Sequence, residues 1–177
     1  MIDIKLIFSK YSNKLLNQKY IITIDINNQN LFLLENFKII EKYKISSSMY
    51  GEGSDEGSNK TPLGAHYIRE FIGKDVEKFT IFKNRIPTNH KAKILPKKEK
   101  SEQDIITTRI LWLDGLEEGF NKGENFDSYK RYIYIHGTNE EELIGQKASH
   151  GCIRMTNSDI IKLCSKNLLN TFVYIST

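Results

Sequence analysis

Ser149-His150-Gly151-Cys152-Ile153-Arg154-Met155 sets a hydroxyl, an imidazole, a thiol and a guanidinium within one short stretch, with a glycine directly before the thiol. A second glycine-marked segment, Tyr134-Ile135-His136-Gly137-Thr138, places another imidazole sixteen positions upstream of the cysteine. A cysteine attacks as its thiolate and needs a base to form it. Two histidines in such turns near one cysteine are the parts of a thiol acyl-transfer site.

The flanks of these two motifs read as β structure. In Arg131 to His136, Ile133 and Ile135 share one face while Tyr132, Tyr134 and His136 share the other. If the isoleucines face the core, the tyrosines lead toward the site and His136 ends the row. After Cys152, Thr156-Asn157-Ser158-Asp159 supplies an N-cap, and Ile160, Ile161 and Cys164 mark the inner side of a helix. Phe172 to Ile175 is a closing strand, and Ile105 to Leu113 is a strand carrying the only Trp.

Further upstream the pattern is a three-stranded meander: Tyr20 to Ile26, Leu31 to Leu34 and Lys38 to Ile45, joined by asparagine-rich turns. Ser46 to Lys60 is a polar, glycine-rich loop. Ala65 to Phe71 and Phe79 to Phe82 read as strands. Ile4, Phe8, Tyr11 and Leu15 recur at helical spacing, so residues 1–19 read as an N-terminal helical extension. Arg85 to Gln103 contains Lys91, Lys93, Lys97, Lys98 and Lys100 and lacks periodicity. It reads as a basic, solvated insertion near 85–104, the sharper alternative being a lid that draws acidic substrate inward.

The expected fold is mostly β, with one domain over residues 20–177, a helix near the C-terminus and another at the start. A chain of 177 residues is long enough to bury a core. The excess of 26 Lys+Arg over 22 Asp+Glu is concentrated in the insertion and does not argue for nucleic acid. Two cysteines make no disulfide framework, and both are expected to be reduced. No run approaches the length of a membrane span. The lysine-interrupted N-terminus does not read as a signal peptide, so the expected location is cytoplasmic, or periplasmic if the chain is a processed form.

Each site residue has a bland reading beside its functional one. Cys152 is a structural thiol or, as its turn favours, the nucleophile; Cys164, on the inner helix face, is core. His136 anchors a turn or acts as the general base, with a backbone carbonyl holding its other nitrogen because no carboxylate stands ready. His150 braces the turn or supplies the base. His66 and His90 lack such neighbours and read as structural or surface. Gly151 frees the backbone so that the Cys152 amide can join an oxyanion hole. Ser149 and Thr138 are hydrogen bonders in the turns, and Arg154 grips a substrate carboxylate. Neither a Cys-x-x-Cys pair nor a paired-histidine spacing favours a metal, and no cofactor is expected.

These motifs resemble the L,D-transpeptidase catalytic domain, or YkuD domain. Ser149-His150-Gly151-Cys152-Ile153-Arg154-Met155 after His136-Gly137-Thr138 carries the likeness. Ile24-Asp25-Ile26, Gln29-Asn30-Leu31-Phe32, Lys44-Ile45-Ser46-Ser47 and Thr61-Pro62-Leu63-Gly64 extend it over roughly residues 20 to 176. The resemblance implies a β-sandwich-like domain that attacks a peptidoglycan tetrapeptide stem after its third residue, typically diaminopimelate. D-Ala leaves and a thioester forms on Cys152, with His136 as base and His150 and Gly151 shaping the turn and oxyanion site. Ser149, Gly137, Thr138, Tyr134 and Arg154 then face the stem peptide or a soluble muropeptide. Arg154 stands where many family members carry asparagine.

The acceptor implied is an amine, giving a cross-link or a D-amino acid exchange, or water. Water alone would make an L,D-carboxypeptidase of peptidoglycan recycling, which suits an unexported chain. A cysteine peptidase of ordinary peptides is a weaker reading, because no Asn or Asp partner is evident. A non-catalytic cell-wall-binding module is a further one, and it would need neither Cys152 nor His136. A monomer is expected.

Overall fold

Tyr20–Asp25 (β1) is apolar on both faces, and both are covered. Ile22 and Ile24 enter the main core, whereas Ile21 joins Leu34, Ala65 and Phe172 beneath the N-terminal helix. A strand buried on two sides loses strict alternation, which explains the continuous Ile21-Ile22-Thr23-Ile24 run. The computed structural model describes residues 4–96, 101 and 104–177, without the side chains of residues 4–6 and 8.

The described residues form ten strands in one curled sheet, with two α-helices. Asn30–Glu35 (β2) and Lys38–Lys44 (β3) complete the meander antiparallel to β1. Gly64–Ile72 (β4), Thr80–Lys83 (β5), Ile86–Lys91 (β6) and Ile106–Gly115 (β7) follow, then Tyr134–Thr138 (β8), Ile153–Met155 (β9) and Phe172–Ser176 (β10). The path runs β3-β2-β1-β10-β4-β7-β5-β6, and β8 joins β7 to β9. The C-terminal strand β10 lies parallel to β1 and antiparallel to β4, so it welds the meander to the rest of the sheet.

The helix Ile4–Leu15 (α1) lays Ile7, Tyr11 and Leu15 on this weld, with the Tyr11 ring 5.4 Å from Phe172. Asn157–Leu163 (α2) packs against β7 and β8. Its cap is Thr156, whose side chain accepts from the Asp159 amide. Asn157, Ile160 and Leu163 are its fully buried residues. Ile160 faces the core and Cys164 packs against it as expected, whereas Ile161 is only half-buried.

Two boundaries differ from the sequence reading. Ile86 to Lys91 is a strand, paired with β5 around an Asn84-Arg85 turn in which both residues have positive φ, at 48° and 67°. Its residues are mostly exposed on both faces, so no apolar alternation announces it. Lys91 meets Glu77, while Lys97, Lys98 and Lys100 lie outside the described residues. The strand expected from Arg131 begins at Tyr134 and runs on to Thr138. Tyr132 has φ +58°, and the amides of Arg131 and Tyr132 bond back to the Asp127 and Tyr129 carbonyls, which delays the extended backbone.

Candidate active site

β8 and β9 run parallel, with Ile135 opposite Ile153 and His136 opposite Arg154. Side chains alternate along each strand, and paired residues leave from the same side. Ile133, Ile135, Ile153 and Met155 accordingly enter the main core. Tyr134 and His136 face the other way, into a cavity of about 400 Å³ whose wall also includes Tyr132, Cys152 and His150.

Cys152 sits on the turn that leads into β9. Gly151 has φ +126°, a conformation that favours glycine. Thr61 Oγ1 donates to the Gly151 carbonyl at 2.9 Å. Ser149 Oγ donates to the Cys152 carbonyl at 2.6 Å and accepts from the Gly151 amide at 3.3 Å. The turn is thus held by side chains on both sides of the thiol, while the Cys152 amide bonds to no described residue. The sulfur accepts from the Tyr134 amide and donates to the Tyr132 carbonyl, each at 3.3 Å. Burial pushes this thiol up to about 12, Asp104 adds to the rise, and the Tyr134 amide opposes it. This balance favours the thiol over the thiolate.

His136 is fully buried. Its Nδ1 lies 2.7 Å from the Gly137 carbonyl, which can only accept, so Nδ1 carries the hydrogen and Nε2 the lone pair. Nε2 has no partner among the described residues, Cys152 Sγ included. Burial lowers the pKa of the ring, with the Asp104 charge opposing. A neutral imidazole with one unoccupied acceptor therefore borders the same space as the thiol. His150 is 44% exposed in its side chain; its amide donates to Asp104 Oδ2 at 3.3 Å, and its Nδ1 lies 3.6 Å from the same oxygen.

Several residues expected to face substrate have other surroundings. The side chain of Arg154 is 1% exposed and pairs with Glu140 and with Asp104, the latter at 2.9 Å. Ser149 is occupied within its turn. Thr138 Oγ1 accepts from the Glu140 amide. Gly137 abuts Asn157 and Thr107 so closely that a Cβ there would sit 2.7 Å from Asn157 Oδ1 and 2.8 Å from the Thr107 carbonyl. None of these four lines the cavity. Tyr134 alone of the expected binding residues lines the cavity. Cys164 packs against the main core from the end of α2, and burial pushes its thiol up to about 12 as well.

Sequence reasoning missed Asp104 and Arg85. Asp104 lay in the stretch read as a solvated insertion, yet its carboxylate stands between Arg154 and His150 on the cavity wall. Arg85 was the first residue of the same stretch. The Asn84-Arg85 pair lacks the glycine of the usual two-residue hairpin turn, so it gives only a weak signal of the turn that positions Arg85.

A family model described as L,D-transpeptidase catalytic domain, YkuD, matches residues 19–175. The chain belongs to this family. Bacillus subtilis YkuD is 46% identical over 50 residues, covering 25% of this chain and 30% of that protein. Among solved structures, an L,D-transpeptidase from Mycobacterium smegmatis superposes with a TM-score of 0.57 at 12% identity, covering 90% of this chain and 59% of that one. L,D-transpeptidase 3 from Mycobacterium tuberculosis, solved with a faropenem-derived adduct, gives a TM-score of 0.56 at 11% identity and covers 90% and 61%. At such identities the structural likeness is one of fold: a mostly β catalytic domain with a curled sheet. The matches span less than two thirds of the length of each of these relatives.

Proposed function

We propose that this chain is a cysteine acyltransferase of peptidoglycan stem peptides, with Cys152 as nucleophile and His136 as general base. The observation that carries the reading is the unoccupied Nε2 of a tautomer-fixed, neutral His136 on the cavity that Cys152 borders. Family membership supports the substrate class.

A thiol pushed up to about 12 does not rest as thiolate. Its proton leaves as substrate is attacked: Sγ–H turns from the Tyr132 carbonyl toward His136 Nε2, and sulfur bonds to the carbonyl carbon of the third residue of the stem. The oxygen becomes an oxyanion, for which the unengaged Cys152 amide is the nearest donor on the nucleophile itself. Collapse breaks the C–N bond, and the D-Ala amine takes the proton from His136. An incoming amine or water then gives its proton to Nε2 as it attacks the thioester, and the departing sulfur recovers that proton from Nε2. His150, on the rim and engaged with Asp104, serves the turn rather than the proton.

The test is incubation with a disaccharide-tetrapeptide, with and without a D-amino acid. Free D-Ala plus tripeptide alone identifies water as acceptor, and a product carrying the added amino acid identifies transpeptidation. Intact tetrapeptide after prolonged incubation would refute the reading.

A further inference from the structure

Arg154 cannot present its guanidinium to a ligand, since Asp104 and Glu140 engage it in the interior. The cavity nevertheless has one Arg or Lys on its wall among the described residues, Arg85. It stands on the β5–β6 turn, above the aromatic residues that lead toward Cys152. Its guanidinium carbon lies 4.7 Å from the Tyr132 ring centroid and 5.1 Å from that of Trp112, and one nitrogen donates to Tyr134 Oη at 3.4 Å. No carboxylate among the described residues pairs with it. The Asn36-Phe37 turn adopts the same left-handed pair of conformations, so backbone strain is not what distinguishes Arg85. The distinction is the ring pair beneath it and the cavity beside it.

Rings beside a guanidinium hold it in place without using its N–H donors; one nitrogen here reaches Tyr134 Oη, and the remaining donors of the fork are left to match a carboxylate. A side chain already ordered by stacking loses little further freedom on binding. We infer that Arg85 is the substrate-recognition residue of this site and that it binds a carboxylate of the stem peptide. The inference rests on the reading of the cavity as a stem-peptide site. Two carboxylates qualify, the terminal one of D-Ala and the side-chain one of a diaminopimelate third residue; both share the chemistry that the fork recognises.

The experiment is calorimetric titration of the disaccharide-tetrapeptide into full-length Cys152→Ala protein, with and without Arg85→Gln, using the native peptide and peptides amidated at one carboxylate at a time. Thermal melts of both proteins verify folding. The expected result is at least tenfold weaker binding of the native peptide by the Arg85→Gln protein. Amidating the recognised carboxylate should weaken binding by the Cys152→Ala parent to the same degree and have no further effect once Arg85 is replaced; which amide does so names the carboxylate. Equal affinity of the two proteins, equal loss in both on every amidation, or no binding by the parent overturns the inference. Binding as expected without D-Ala release by the wild type would overturn only the catalytic reading.

Discussion

Arg154 Nη2 lies 2.9 Å from Asp104 Oδ1, and Glu140 takes the guanidinium from its other nitrogen. The cation two residues past the thiol is thereby a buried tie between β9 and two loops rather than an arm toward the cavity. Removing one partner of a buried ion cluster leaves the others uncompensated, at a cost of about 3–5 kcal/mol. Arg154→Ala should lose stability on that scale in urea unfolding. Unchanged stability with only a raised KM would return Arg154 to substrate binding.

Acid should destabilise the fold. His66 is fully buried, with its ring nitrogens 3.1 Å from the Gly64 carbonyl and 3.0 Å from Ser128 Oγ, and burial lowers it to about 4. An unfolded histidine titrates near ~6.5, so below that pH the unfolded chain binds a proton that the folded protein refuses. The contribution is fully present above ~6.5 and is lost as pH falls toward 4, amounting to ~3 kcal/mol. His136 is lowered for the same reason. Asp104 and Asp127 are held below the usual carboxylate value and also lose stability as pH falls. Urea midpoints at pH 7 and pH 4.5 should show the decline, and His66→Gln should flatten part of it. A slope unaltered by that substitution would contradict the assignment.

Gly137→Ala should destabilise although alanine is small. The new Cβ meets Asn157 Oδ1 and the Thr107 carbonyl, and Asn157 cannot retreat. Its Nδ2 donates to the Thr138 carbonyl at 2.7 Å, and its Oδ1 accepts from Thr107 Oγ1 at 2.6 Å. Overpacking of this kind costs about 1–3 kcal/mol. At ~2–4 °C per kcal/mol for a chain of this size, the melting midpoint should fall by several degrees. An unshifted midpoint would show that the contact yields.

Both thiols should alkylate slowly at neutral pH, since burial pushes each up to about 12. Peptide mapping after iodoacetamide should show rates that rise through pH 9, with Cys152 ahead of Cys164 because it borders the cavity. Fast alkylation of Cys152 that does not vary below pH 7 would mean a standing thiolate–imidazolium pair in place of the neutral one.

Period-two alternation made much of the site legible. Ile133, Ile135, Ile153 and Met155 sort cleanly to the core because β8 and β9 each have one buried apolar face, and that sorting sends Tyr134 and His136 to the cavity. The meander was equally readable from its β-branched runs and asparagine turns. Spacing failed where contacts between distant segments decide. Nothing near Arg154 in the chain announces Asp104 or Glu140, so its charge looked free. Arg85 was obscured for a different reason: β6 is exposed on both faces and carries no hydrophobic period to mark the hairpin that positions it.

Mass spectrometry of the intact protein, quenched during turnover of a disaccharide-tetrapeptide, tests the central claim most directly. The account predicts a covalent adduct of the substrate less D-Ala, located at Cys152, and neither adduct nor D-Ala release in Cys152→Ala. Release of D-Ala undiminished in that variant would contradict it.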